Sequence, residues 1–142
     1  MYSHQTQKRV RYGEVDRMGY LYYGHYAFYY EIGRVEWLRS LGVLYKDMEE
    51  KMHIMLPVVA LQMRFVRPAR YDEILTITTT LRSMPDRYIT FHMEIHNEAG
   101  KLVNGGTVRL AFVDMDTGKV VPIPEVLRKK LEPFFSDGTS AT

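Results

Sequence analysis

The stretch Gly24 to Leu41, Gly-His-Tyr-Ala-Phe-Tyr-Tyr-Glu-Ile-Gly-Arg-Val-Glu-Trp-Leu-Arg-Ser-Leu, limits the possible folds more than any other. Tyr26, Tyr29, Tyr30, Gly33, Trp37 and Leu41 recur at spacings of three and four, the period of a helix. Phe28, Ile32, Val35 and Leu38 fill much of the remaining circumference. A helix apolar nearly all round has to be covered on most sides by something else. Gly33 lowers helix propensity, which predicts close packing against a neighbouring backbone. Gly42 is suited to end the helix.

The cover comes from the rest of the chain, where the period is two. Val59, Leu61, Met63 and Phe65 alternate with Ala60, Gln62 and Arg64, and Pro68 ends that run. Leu75, Ile77 and Leu81 alternate with threonines between Glu73 and Arg82. Ile89, Phe91, Met93 and Ile95 alternate with polar residues up to His96, the pattern of a strand with one buried face. Asn97 to Gly100 reads as a hairpin turn, Lys101 to Val113 as its partner strand, and Gly105-Gly106 as a bulge in it. A short strand over Lys8 to Gly13 precedes the helix, one or two helical turns over Leu44 to Lys51 follow it, and a short helix over Glu125 to Phe134 comes last. Strands joined by short turns make an antiparallel sheet, and one face of it must cover the helix. The expected class is α+β: a curved antiparallel five-stranded sheet wrapped around one long helix. A sheet edge as apolar as Val59 to Phe65 needs a partner of its own.

At 142 residues the chain is expected to form one domain over residues 1–135, with 136–142 as a small, polar, disordered tail. It has no cysteine, which excludes disulfides and thiolate chemistry. A net charge of +2 gives no reason to expect nucleic acid as a partner. The first residues lack the apolar core of a signal peptide, and no run is long enough to span a membrane, so the expected location is cytoplasmic. His4, His53, His92 and His96 have no metal-ligand spacing, and no metal is expected.

Asp16 stands just upstream of the long helix, across a loop containing Gly19. A helix start offers unpaired N–H groups and positive potential. A carboxylate placed there has two readings. One is a turn aspartate before a glycine. The other is an acid that attacks, or activates water, while the N–H groups hold negative charge developing on a carbonyl oxygen.

The ordered set Tyr12, Asp16, Gly19, Leu21 to Tyr23, His25-Tyr26 and Arg34-Val-Glu36-Trp-Leu38 resembles the signature of hotdog-fold acyl-CoA thioesterases of the 4-hydroxybenzoyl-CoA type, including the small bacterial thioesterases associated with the Tol-Pal system. The resemblance continues through Phe65-Val-Arg67-Pro68-Ala69-Arg-Tyr71-Asp72 and spans Arg9 to Pro124. It implies a hotdog fold, at least a homodimer and as much as a homotetramer, and hydrolysis of an acyl- or aroyl-CoA to a carboxylic acid and free CoA. It puts the family's catalytic carboxylate on Asp16 as nucleophile or general base. Glu31 and Glu36 are alternatives, because some relatives carry the acid on the helix. Tyr23, Gly24 and His25 fall where relatives polarise the carbonyl through a backbone N–H near the glycine, and His25 either orients water or satisfies the first helical turn. The tyrosines near Asp16, Tyr20 and Tyr23, are candidates for an acyl pocket. Coenzyme A enters as part of the substrate, with no separate cofactor, and Arg64 and Arg87 are the candidate contacts for its phosphates. An acyl-carrier-protein thioesterase and a non-catalytic acyl-CoA-binding protein are the alternative functions.

Overall fold

The chain is described by a computed structural model over residues 1–135. The long helix, α1 (Tyr26–Ser40), follows a single 3-10 turn at Tyr23–His25. Tyr26, Tyr29, Tyr30, Gly33, Trp37 and Leu38 are buried. Gly42 ends the helix as expected: at φ +80° it lets its N–H reach Arg39 O while Val43 N–H caps Leu38 O.

Five strands wrap the helix, β1 (Tyr2–Arg9), β3 (Val58–Phe65), β4 (Ile74–Leu81), β5 (Tyr88–His96) and β6 (Leu102–Ala111), in the order β1-β4-β5-β6-β3, every pair antiparallel. Between α1 and β3 lie α2 (Tyr45–Met52) and the two-residue β2 (Ile54–Met55), which pairs with β7 (Val113–Asp114) apart from the main sheet. The last element, α3 (Glu125–Phe135), sends Leu127, Leu131 and Phe135 into the core. Pro124 stands one residue ahead of it, its carbonyl accepting the Leu127 and Arg128 N–H groups. The expected tail over 136–142 lies outside the described residues.

The inward sides of β4 and β5 are the apolar ones the alternation picks out, and Phe91 meets Trp37 edge-on at 4.8 Å between ring centroids. Three details differ from the sequence reading. The first strand is Tyr2–Arg9 rather than Lys8 to Gly13. Its inward residues, Tyr2, His4, Thr6 and Lys8, are too polar to mark a buried face, whereas the apolar Val10 anchors the turn that follows. Gly33 packs against side chains, not backbone: a Cβ there would lie 2.6 Å from Thr79 Oγ1 and 2.8 Å from Ile77 Cγ2. The strand irregularities fall at Val103 and Val59, where one residue is skipped in each register, while Gly105 and Gly106 stay in regular pairing.

Gly106 is a glycine for space. A Cβ would stand 2.0 Å from the carbonyl oxygen of Gln62 on β3 and 2.9 Å from the Tyr30 hydroxyl. Gly106→Ala is therefore expected to cost about 1–3 kcal/mol, the scale of overpacking. Urea denaturation followed by tryptophan fluorescence checks it; an unchanged midpoint would mean that β3 shifts freely.

One part of the cover is missing in a single chain. β3 is an edge strand, and Val58, Val59, Leu61 and Phe65 are each roughly half exposed. Phe28, expected on a buried face, is also exposed on the flank of α1. The apolar surplus read from the sequence is real, and it collects along this edge and flank.

Candidate active site

The segment from Val10 to Leu21 leaves β1 and returns on itself. Val15 and Leu21 form a lone antiparallel bridge, Asp16 N–H donates to Tyr20 O at 2.8 Å, and Gly19, at φ +78°, closes the turn by donating to Asp16 O. Positive φ is what a glycine supplies here at little strain. Within this loop the Asp16 carboxylate is split in its duties. Oδ1 accepts the N–H groups of Met18 at 2.9 Å and Tyr20 at 3.2 Å. No hydrogen bond from a described residue reaches Oδ2. The turn reading of Asp16 thus accounts for Oδ1.

That carboxylate lies on a cleft of about 300 Å3 with Tyr20, Tyr23, Tyr26, Phe65 and Arg67 in its wall. Tyr26 is buried and packs edge-on to Phe65 at 5.4 Å, and burial pushes its phenol up to about 12. Tyr20 lies under the Arg70 guanidinium at 4.8 Å. On its other side Asp16 borders a second hollow with Tyr12, Arg17 and Tyr71. The candidates therefore separate. Asp16, Tyr20 and Tyr23 share one cleft. Gly24 and His25 begin the helix beside it without lining it. The Gly24 N–H has no acceptor among the described residues, and a Cβ at this position would meet the Tyr22 ring at 2.6 Å. The His25 ring makes no hydrogen bond among those residues and rests between Tyr22 and Phe28.

The two arginines picked for phosphate are not beside Asp16 in one chain. Arg64 precedes Phe65 in β3 and so faces the other side of the sheet, in a hollow with Arg82, His92 and Glu94. Arg87 donates to Val120 O at 3.3 Å, next to the start of β5. Tyr88 pairs with Ala111, whereas Phe65, at the cleft, pairs with Asn104. The separation along β6 is about 23 Å at about 3.3 Å per residue. Among the described residues no cluster of three or more His, Asp or Glu stands together to hold a metal.

One residue that carries the geometry was not singled out in the sequence. Glu14 Oε1 accepts the Arg11 N–H at 2.8 Å, the hydroxyl of fully buried Tyr29 at 2.8 Å and the Lys8 ammonium at 3.0 Å, while Glu14 O accepts Tyr22 N–H. It ties β1, the Asp16 loop and α1 together. Partial burial opposes its ionisation, yet the hydrogen bonds from Arg11, Tyr29 and Lys8 prevail and hold the carboxyl below the usual range. Its only local signal is a Glu three residues after Arg11, where its side chain reaches back to the Arg11 N–H.

A helix held in a curved five-stranded sheet, with an acid at the helix start, is the arrangement that the hotdog resemblance implies. Residues 10–131 match the model of the thioesterase-like superfamily. The chain belongs to that family. By family it is a thioester hydrolase with the hotdog fold. This thioesterase is 31% identical to the putative acyl-CoA thioesterase YneP of Bacillus subtilis over 121 residues, 85% of this chain and 87% of that one. It is 32% identical to the DHNA-CoA thioesterase of Staphylococcus aureus, whose structure matches with a TM-score of 0.80 over 99% of this chain and 89% of that one. A 4-hydroxybenzoyl-CoA thioesterase structure, in complex with 4-hydroxybenzoyl-CoA, matches with a TM-score of 0.81 over 90% of this chain and 97% of the other at 20% identity, a likeness of fold. None of the helices among the described residues is long and apolar enough to cross a membrane.

Proposed function

We propose that this thioesterase hydrolyses acyl-CoA esters at the Asp16 cleft. The observation that carries the reading is the half-engaged carboxylate: Oδ1 is fixed by two backbone N–H groups, no described residue engages Oδ2, and Asp16 lines an aromatic-walled cleft at the start of α1. Asp16 either attacks the thioester carbon or takes a proton from the water that attacks it. In both routes the carbonyl oxygen gains negative charge, the C–S bond breaks and the CoA thiolate leaves and takes up a proton. Attack by water gives the carboxylic acid directly, whereas attack by Asp16 gives an acyl–Asp16 anhydride that water then hydrolyses to the acid and free Asp16. The unpaired Gly24 N–H at the helix start is a donor for that charge. The names of the relatives point to the same class of ester. A CoA ester also fits the expected cytoplasmic location.

The working unit is a dimer joined through β3. Its half-exposed apolar edge is a poor surface for a free chain. Pairing β3 antiparallel with its own copy sets the Val58 end of one beside the Phe65 end of the other. The Arg87 of one copy then approaches the Asp16 cleft of the second, which a single chain does not allow. Arg87→Ala is expected to raise KM with kcat nearly unchanged, by about 1–3 kcal/mol in binding. An unchanged KM would remove Arg87 and turn attention to Arg64 and Arg67.

Thiol release from short, long and aromatic acyl-CoAs tests the proposal, with light scattering on the same sample for the dimer. Absence of thiol release from every ester would leave an acyl-CoA-binding protein. A second reading follows from exposed Arg17 and Arg67 in the walls of the two hollows flanking Asp16, with exposed Arg70 over Tyr20 beside them. Such a rim suits an acidic acyl carrier protein. Higher kcat/KM for the carrier-bound acyl group than for the matching CoA ester would favour it.

A further inference from the structure

A separate cavity of about 290 Å3 lies between the flank of α1 and the inner faces of β5 and β6. Val35, Leu38, Phe91 and Leu110 give it apolar walls, and exposed Glu31 stands at its rim. Its volume is at the small end of ligand pockets, about 300–1,000 Å3. The one cation in its wall is Arg34. Arg34 is partly buried, and burial lowers its pKa against the opposing influence of Glu31 and Tyr45. No hydrogen bond or ion pair from Arg34 to a described residue exists. Tyr45 is already committed, its hydroxyl accepting Leu56 N–H at 3.2 Å and donating to Leu56 O at 3.4 Å. A guanidinium on the wall of an apolar cavity, with its donors unspent by the protein and still reached by solvent, is free to take an acceptor that a ligand brings.

We propose that this cavity receives the acyl group of the substrate and that Arg34 selects short acyl groups ending in a carboxylate. The inference rests on the thioesterase reading above. A guanidinium presents a planar fork of donors that matches a carboxylate with two parallel hydrogen bonds. Glu31 is out in water, where its repulsion of such a group is screened. The position also fits. Arg34 is ten residues beyond Gly24, about 15 Å along α1, too far for a short acyl group held at the Asp16 of the same chain. Leu110 of the cavity wall pairs with Val58, however, and Phe65 of the catalytic cleft is at the far end of β3. Antiparallel pairing of β3 with its copy therefore brings the cavity of one subunit towards the Asp16 cleft of the other.

The test compares length-matched esters, butyryl- with succinyl-CoA, pentanoyl- with glutaryl-CoA and hexanoyl- with adipoyl-CoA, on the wild type, Arg34→Met and Arg34→Lys. The wild type should prefer the carboxylated member of at least one pair by about tenfold or more, chiefly in KM. Arg34→Met should lose that preference and keep its turnover of the neutral esters, and Arg34→Lys should retain part of it. Arg34→Met should also unfold at the same temperature or higher, because an apolar residue replaces an unpaired cation; a purely structural arginine would give a lower one. Calorimetric titration of glutarate against pentanoate reads the pocket without turnover. Equal or neutral-favouring kcat/KM, or a carboxylate preference that survives in Arg34→Met, overturns the inference while leaving the thioesterase standing. If no ester is hydrolysed, the thioesterase reading falls, and tighter binding of glutarate than of pentanoate still decides whether the pocket holds a carboxylate.

Discussion

Asp16→Asn is expected to cut kcat by about 100-fold or more and to leave the fold and KM nearly unchanged. The size is that of losing a general base, and losing a nucleophile costs at least as much. The geometry makes this substitution a clean one. The structural duty of Asp16 is carried by Oδ1, which accepts the Met18 and Tyr20 N–H groups. An asparagine oxygen can accept the same two bonds. Only Oδ2, which no described residue engages, changes from a carboxylate oxygen to an amide nitrogen. Asp16→Glu should fail for another reason: one more methylene either breaks the loop bonds or misplaces the attacking oxygen by about an ångström. Asp16→Ala is the less informative variant, because it removes the loop acceptor with the charge. Thiol-release kinetics with circular dichroism as the folding control decide the matter. A folded Asp16→Asn enzyme with near wild-type kcat would make Asp16 a turn residue only and move the chemistry to Glu31 or His25.

The parts of this fold legible in the sequence were those in which one face is apolar and the other is not. β5 alternates from Ile89 on, and β4 from Leu75 on except at buried Thr79, because one face meets α1 and the other is turned outward, and the helix is visible because it has almost no polar side. β1 lies outside the expected range because its inward residues, Tyr2, His4, Thr6 and Lys8, carry too little apolar character to show a period of two. Gly105 and Gly106 were misread because a glycine in a strand has two common causes, and spacing does not separate a bulge from a close approach. The Tyr30 hydroxyl and the Gln62 carbonyl that crowd Gly106 are distant in sequence. For the site, Asp16, Tyr23 and the helix start were visible as neighbours along the chain. Arg67 and Phe65 were not, since β3 reaches the cleft only through its pairing with β6. Arg34 was read as part of a family motif, and its isolation in an apolar cavity appears only when β5, β6 and α2 are placed around it.

Glu14 is the last residue whose weight shows only in three dimensions, and Glu14→Ala is expected to be the most damaging substitution near the site after Asp16. The change removes the acceptor of the Arg11 N–H and strands the Tyr29 hydroxyl, which has no exposure to water with which to replace it. Losing a hydrogen bond to a charged group costs about 1.5–3 kcal/mol, and an orphaned buried donor adds to it. The loop that aims Asp16 hangs from this anchor, so kcat should fall about tenfold or more even where the protein is still folded. Glu14→Gln separates charge from shape, since its amide oxygen can still accept from Arg11 and Tyr29. The pH dependence supplies the sign. The folded-state pKa of Glu14 lies below its ordinary value of 4.5, so its stabilising contribution is complete above that value. The contribution is lost as pH falls through the folded-state pKa, because the carboxyl then takes up a proton. Urea midpoints of wild type and Glu14→Gln should therefore differ at neutral pH and converge as the pH falls through the lowered folded-state pKa of Glu14. A gap that stays constant down to pH 3 would show that the Glu14 charge contributes nothing, and that only the shape of its side chain holds the loop.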